Sequence, residues 1–266
     1  MERNRKVEVV ASIILAVVAL VWGTTYAVIK DTLSVVQPFS LMMFRFGFSA
    51  LILSLMYLKK FKTIKSVDLK RGIIIGIFMF LAFYFLIISI RFTTASKFSF
   101  IVGAILATIG LAFLTMERGA VFNLWDLVAG CCSFFFAAHM IAIEKYSGDS
   151  DPILLTIIQF ITTAVLFIIL TGIKEGYDFI VLPEIKWTLG YLVIISTIIP
   201  FAIQNIVQRY ISSTSTALIL TLQSAFGSIF AVYYLDERMT KQMIIGCLLI
   251  FIAIVFQETK LKFLKR

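Results

Sequence analysis

The same landmarks occur twice in this chain at the same spacing, which marks it as a duplicated structure before any local propensity is weighed. Pro38 precedes Arg45 by seven residues and Pro152 precedes Gln159 by seven; Gly72 precedes Arg91 by nineteen and Gly190 precedes Arg209 by nineteen. Both arginines lead into Ser/Thr-rich stretches, Arg91-Phe-Thr-Thr-Ala-Ser96 and Arg209-Tyr-Ile-Ser-Ser-Thr-Ser-Thr216. The register then breaks, because Arg209 lies 37 residues before Gly246 whereas Arg91 lies 12 before Gly103. The shortfall in the first copy equals about one membrane-spanning helix with its turn. Internal repeats in membrane proteins point to transport.

That the chain is a membrane protein follows from its apolar runs. Hydrophobic residues make up 61% and charged residues 15%, with a mean hydropathy of +1.01. No soluble domain of this size covers so much apolar surface. The runs are continuous rather than alternating, which excludes an outer-membrane barrel, and each is long enough to cross roughly 30 Å of hydrocarbon. The pattern predicts an all-α polytopic protein with helices at 9–29, 37–58, 71–91, 97–115, 123–145, 152–172, 187–209, 213–235 and 240–258. The longest connection, 173–186, reads as a surface loop. The first run continues into Trp22-Gly-Thr-Thr-Tyr26 without a small-residue cleavage site, so it reads as a span and not a signal peptide.

A net charge of +9 implies nucleic acid in a soluble protein, but here the basic residues sit in loops as the positive-inside rule requires. Lys59, Lys60, Lys62, Lys65, Lys70 and Arg71 crowd one loop, and Arg3, Arg5 and Lys6 precede the first span. Both groups, and the N-terminus with them, are expected in the cytoplasm; the lipid bilayer and a small solute are the expected partners, and no nucleic acid is. Cys131, Cys132 and Cys247 form no C-x-x-C pair and there is no His cluster, so no disulfide, metal or cofactor is expected. No phosphate-binding Gly-rich loop suggests ATP. Oligomeric state is left open.

Small residues mark close helix approach: Gly72 and Gly76 in one helix, Gly103, Ala107 and Gly110 in another, and Ser224, Gly227, Ser228 and Ala231 in a third. Such stripes let backbones touch where no hydrophobic effect drives association, and most are expected to be bundle packing rather than oligomer contacts. Pro200 removes an amide and clashes with the carbonyl of Ser196, so its helix is expected to kink there and to offer a hinge.

Several motifs together carry a family resemblance. They are Trp22-Gly-Thr-Thr-Tyr-Ala, the Arg45-Phe46 pair, Thr93-Thr-Ala-Ser-Lys97, Gln208-Arg209-Tyr210 leading into Ser-Thr-Ser-Thr-Ala-Leu-Ile-Leu, and Leu235-Asp-Glu-Arg238 before a Gly-containing helix. In this order the chain resembles the EamA branch of the drug/metabolite transporter superfamily over residues 8–258. The resemblance implies two five-helix inverted repeats around a central cavity, here 8–115 and 122–258. It also implies a carrier of small metabolites such as amino acids across the bacterial inner membrane, often outward.

The chain departs from that pattern between Lys97 and Ile101, where one helix is lacking. Four helices in the first half would leave both halves facing the same way, giving nine spans and an external tail at 260–266. If the second half keeps the family's orientation instead, residues 97–115 must dip in and return. The loss is also expected to impair transport and to turn Arg45 toward lipid.

An ionisable group inside a span is a functional candidate by default. Arg45 lies about eight residues into its helix, roughly 12 Å deep at ~1.5 Å per residue. It reads either as a cavity cation for a carboxylate-bearing substrate or as a structural lock to carbonyls; its counterpart Gln159 is uncharged. Trp22, Thr25 and Tyr26 share one helix face and suit a cavity wall, or an interfacial aromatic belt. Tyr84 is placed in the same cavity. His139 reads as a proton relay or as hydrogen-bonded packing. Gln204, Gln208 and Gln223 must face protein or water rather than lipid. Arg91 and Lys97 read as interfacial.

These readings converge on a secondary carrier of small organic solutes working by alternating access. Its cavity is expected among the helices at 9–29, 71–91, 123–145, 187–209 and 213–235. An intramembrane enzyme is the different class, but His139 has no Ser in a Gly-x-Ser-x-Gly elbow to activate. A non-transporting membrane remnant is the further alternative that the lost helix raises.

Overall fold

A computed structural model describes residues 5–92 and 124–236, with Lys241, Ile244, Ile245 and Leu248 isolated beyond them. Among these residues seven helices are long and apolar enough to span a bilayer. They are α1 (Arg5–Thr32), α2 (Pro38–Met56), α3 (Ser66–Phe92), α4 (Leu124–Ser147), α5 (Pro152–Lys174), α6 (Leu182–Val207) and α7 (Ser213–Leu235). The protein is all-α and polytopic, and no strand occurs among the described residues. The helix expected at 97–115, with Thr93–Lys97, Gly103 and Gly110, lies outside them, and so does that expected at 240–258 apart from those four isolated residues.

Two helices start five residues earlier than apolar periodicity predicts. Helix α3 begins at Ser66 rather than 71, with Asp68 in its polar first turn accepting a hydrogen bond from the Lys65 amide at 3.2 Å. Helix α6 begins at Leu182 with Pro183 in its first turn, where a missing amide costs nothing because first-turn amides have no intrahelical acceptor. The expected loop at 173–186 therefore shrinks from both sides.

Contacts at the helix ends establish the topology. At one end of the bundle the Phe92 ring stacks on Trp125 at 4.1 Å, and Ser89 Oγ donates to the Trp125 carbonyl at 3.0 Å. At the other end Ser150 Oγ donates to Asp68 at 2.6 Å, and Arg71 reaches Ser150 Oγ at 2.9 Å and Asp149 at 3.3 Å. Helices α3 and α4 are therefore antiparallel, and the chain leaves α3 and enters α4 at the same end. How residues 97–115 cross, and with it the four-plus-five count of spans, lies outside the described residues. Lys30 Nζ donates to the Ile90 carbonyl at 2.9 Å, which sets α1 parallel to α3. The first helices of the two halves thus run in opposite directions, as inverted repeats require.

The remaining ends are tied by carboxylates. Glu175, just past α5, accepts from the amides of Phe39 at 2.9 Å and Ser40 at 2.8 Å and so caps α2, whose own Gln37 makes no side-chain cap. Four N-terminal amides of any helix lack intrahelical acceptors, and an anion there also complements the helix dipole. Asp151 caps α5 through the amides of Ile153 and Leu154 and pairs with Lys60.

Close packing holds the spans together, since lipid leaves no hydrophobic drive between helices. A Cβ on Gly72 would stand 2.5 Å from Ile158 Cβ, and one on Gly76 would stand 2.6 Å from Thr162 Cβ, so this pair seats α3 directly on α5. Gly23 does the same for α1 on α7, where an added Cβ would meet Phe226 Cβ at 2.7 Å. Buried phenylalanines fill the centre: Phe46 meets Phe83 edge-on at 4.9 Å, and Phe201 meets Phe83 at 6.0 Å and Phe160 at 5.9 Å.

Candidate functional site

The site is organised by an irregularity in α6. Pro200 has no amide to give the Ser196 carbonyl, and its ring crowds that position. In place of a simple proline kink the backbone widens into a π-helical stretch, Tyr191–Ile198. Such wide turns are frequent at functional positions in helices. Thr197 Oγ1 turns back to donate to the Leu192 carbonyl at 2.7 Å.

The Ser196 carbonyl is taken by two other helices. Trp22 Nε1 on α1 donates to it at 3.0 Å, and Arg45 Nη2 on α2 donates at 3.2 Å. The same Nη2 reaches Ser196 Oγ at 2.9 Å, and Arg45 Nε donates to Thr197 Oγ1 at 2.6 Å. Thr25 Oγ1 shares a hydrogen bond with Ser196 Oγ at 2.8 Å. The guanidinium also lies over the Phe83 ring, 5.0 Å from its centroid. Arg45 is 1% exposed, so the expectation that it faces lipid is wrong: two π-turn hydroxyls and one carbonyl supply the polar contacts that lipid lacks.

One guanidinium nitrogen is left over. Arg45 Nη1 is buried without a hydrogen-bond partner, and so is Gln204 Oε1. A buried polar group left unpaired costs about 1–3 kcal/mol, and more when it is charged. Among the described residues Asp68 is the buried carboxylate, and it is bonded to Ser150 at the far end of α3. Among the described residues the Arg45 charge is therefore solvated by neutral groups and rings.

Arg45 and Gln204 line one cavity together with Trp22, Thr25, Tyr26 and Gln223. Phe83, Phe136, Met140 and Leu220 complete much of its apolar wall. These residues come from α1, α2, α3, α4, α6 and α7, so α2 joins the expected set through Arg45. Three other sequence candidates lie elsewhere. Tyr84 stacks on Phe39 at 5.8 Å, because one residue along a helix turns the side chain by about 100° and puts Phe83 inward instead. His139 Nε2 bonds Gln159 Oε1 at 2.9 Å, with the imidazole edge-on to Phe201. Gln208 Nε2 donates to the Met140 carbonyl at 3.0 Å, one turn beyond the cavity.

Sequence reasoning named Ser196 only for the carbonyl that Pro200 crowds, and did not single out Phe83, Phe136 or Thr197. In a chain with 26 phenylalanines a cavity phenylalanine looks like any core residue. For Ser196 and Thr197 the available signal was Pro200, four and three residues on.

Comparison with known proteins agrees with this architecture. The model of the EamA-like transporter family matches residues 10–117 and 123–257. An uncharacterised transporter of Archaeoglobus fulgidus is 30% identical over 274 aligned residues, covering 91% of this chain and 83% of that protein. A crystal structure at 16% identity superposes with a TM-score of 0.66 over 92% of this chain and 94% of the other, which shows a shared fold. With family matches over both halves of a multi-pass helical bundle, the chain belongs to the EamA-like transporter family, within the drug/metabolite transporter superfamily, and is a membrane transporter.

Proposed function

We propose that this transporter is a secondary carrier that moves small metabolites such as amino acids outward across the cell membrane by alternating access. The observation that carries the reading is the mid-bundle cavity, which combines an aromatic wall with polar groups and abuts the π turn of α6. Its volume of about 30 Å³ admits a water or two and no organic solute. The conformation is a closed one, and a solute enters when helices part.

One seam is suited to part. Between the cavity and the Lys59–Arg71 end, α4, α6 and α7 bury Gln208 Oε1, Thr216 Oγ1 and Ser147 Oγ without partners. Polar atoms left short in a closed seam gain hydrogen bonds when water or a polar solute enters. At its mouth Arg209 Nε donates to the Ser147 carbonyl at 2.8 Å and a second nitrogen reaches the Ser150 carbonyl, while Glu144 accepts the Ser213 amide at 2.6 Å. The basic loop stands at this end, so we assign it, and the N-terminus, to the cytoplasm. Pro200 and the π turn serve as the hinge.

An enzymatic reading finds less support, because His139 bonds Gln159 rather than a hydroxyl or thiol. Cells expressing the chain and loaded with a labelled amino-acid mixture are expected to lose label faster than cells expressing Gln204→Leu. Equal rates would contradict outward transport through this cavity.

A further inference from the structure

We infer that the cavity takes a small organic carboxylate with an apolar body, and that Arg45 Nη1 is its carboxylate-binding group. The transport consequence rests on the carrier reading above; the binding itself does not. The two edges of the guanidinium do different work. Nε and Nη2 are spent on Thr197 Oγ1, Ser196 Oγ and the Ser196 carbonyl, locking α2 to the π turn. Nη1 is buried and has no partner. A guanidinium has five N–H donors and no acceptor, so what the free nitrogen lacks is an acceptor, and its charge selects an anionic one.

Among the described residues no side chain supplies that anion. Among the described residues the Arg45 nitrogens bond only hydroxyls and a carbonyl, and the buried Asp68 is engaged by Ser150 at the bundle end. A buried charge without a counter-ion is expensive in a span, and a ligand carboxylate provides the missing one. The cavity wall defines the rest of the ligand. Trp22 Nε1 is committed to Ser196, so its ring offers an apolar face beside Tyr26, Phe83 and Phe136. Gln204 Oε1, also unpartnered, accepts from a ligand N–H or O–H. A carboxylate held by Arg45 at one end, with an N–H or O–H on Gln204 and a hydrophobic group against aromatic faces, uses both buried polar atoms that the cavity leaves unpartnered.

Three probes of one size separate the contributions. The full-length protein in detergent is titrated with 3-phenylpropanoate, L-phenylalanine and 2-phenylethylamine, and the thermal unfolding midpoint and tryptophan fluorescence are followed. Both carboxylates are expected to raise the midpoint and the amine is not. Arg45→Gln is expected to weaken both carboxylates at least about tenfold, as loss of a buried charge-assisted bond does. If that variant does not fold, Gln204→Leu serves instead: it weakens L-phenylalanine, whose ammonium needs the amide oxygen, more than it weakens 3-phenylpropanoate. Binding of the amine without the acids, carboxylate affinity unchanged in a folded Arg45→Gln protein, equal weakening of both acids by Gln204→Leu, or no response to any probe would overturn the assignment. Carboxylate binding with no translocation would reject the carrier reading and leave the site standing. Translocation of solutes that lack a carboxylate, with no carboxylate bound, would do the reverse.

Discussion

Trp22 gives its indole N–H to the Ser196 carbonyl at 3.0 Å, across 174 residues of sequence. That bond joins the first helix of the chain to the turn of α6 that Pro200 leaves without an intrahelical amide. The π turn is thereby held from outside its own helix by Trp22 and Arg45. A helix turn whose carbonyl is held by neighbouring helices is coupled to their movement, which is why the hinge assignment falls on this stretch.

Trp22→Phe keeps a ring in place and removes the bond. Arg45 still serves the carbonyl, so the expected loss is about 1 kcal/mol, the usual net value of one hydrogen bond. Pro200→Ala restores an amide that competes for the same carbonyl, and is expected to leave stability within about 1 kcal/mol while slowing transport. Chemical unfolding in detergent and transport in vesicles measure the two effects separately.

The glycine contacts give a steric prediction. Gly23→Ala and Gly76→Ala each place a Cβ inside 3 Å of a neighbouring helix and are expected to destabilise by about 1–3 kcal/mol, the range for overpacking. Gly47, around which an added Cβ meets nothing within 4 Å, is the internal control; Gly47→Ala is expected to be neutral or stabilising by up to about 1 kcal/mol, since alanine is the better helix former. Thermal unfolding of the three variants side by side checks the order.

Asp151 carries a pH dependence. Partial burial pushes its carboxyl up, but the Lys60 hydrogen bond, the Leu154 amide, the Lys60 charge and the Ile153 amide together outweigh this and hold it below its ordinary 3.8. A carboxyl depressed on folding contributes stability that is present above its unfolded pKa and is lost as pH falls through the folded one. Asp151→Asn is therefore expected to be less stable than the parent at neutral pH and to converge with it as pH drops below 3.8. Asp151→Ala also loses the cap, at about 1 kcal/mol, and stays less stable at every pH. Unfolding midpoints across an acid series report both.

Much of the fold was legible because spans need long apolar runs: α5 starts at Pro152 and α7 runs 213–235 as the pattern predicts. The polar first turn of α3, Ser66 to Lys70, was not, because it carries no apolar periodicity. The antiparallel seating of α4 on α3 was hidden for another reason. It depends on Phe92 meeting Trp125 and Asp68 meeting Ser150, and charge counting along loops cannot report such pairings. In the site, Trp22, Thr25 and Tyr26 were marked by sharing a face, and Gln204 and Gln223 by being amides inside apolar runs. The roles of Tyr84, His139 and Gln208 depend on which neighbour each side chain meets, and that is a tertiary fact.

Topology is open to direct labelling. Single cysteines replacing Lys62 and Gly148 are expected to react from the cytoplasmic side, and cysteines replacing Val35 and Ile180 from the opposite side. All four positions are exposed. Reaction of positions 62 and 148 from opposite faces would contradict the antiparallel α3–α4 pair.

The central claim, that solute crosses through the cavity around Trp22, Tyr26, Arg45 and Gln204, is tested most directly by counterflow. Proteoliposomes holding the full chain, loaded with an unlabelled amino-acid mixture and given trace label outside, are expected to accumulate label transiently. Tyr26→Ala and Gln204→Leu are expected to fold in detergent and to lose most of that uptake. Uptake at the parent rate in both variants would show that solute takes another route, and no uptake by the parent with any solute would leave a membrane remnant in place of a carrier.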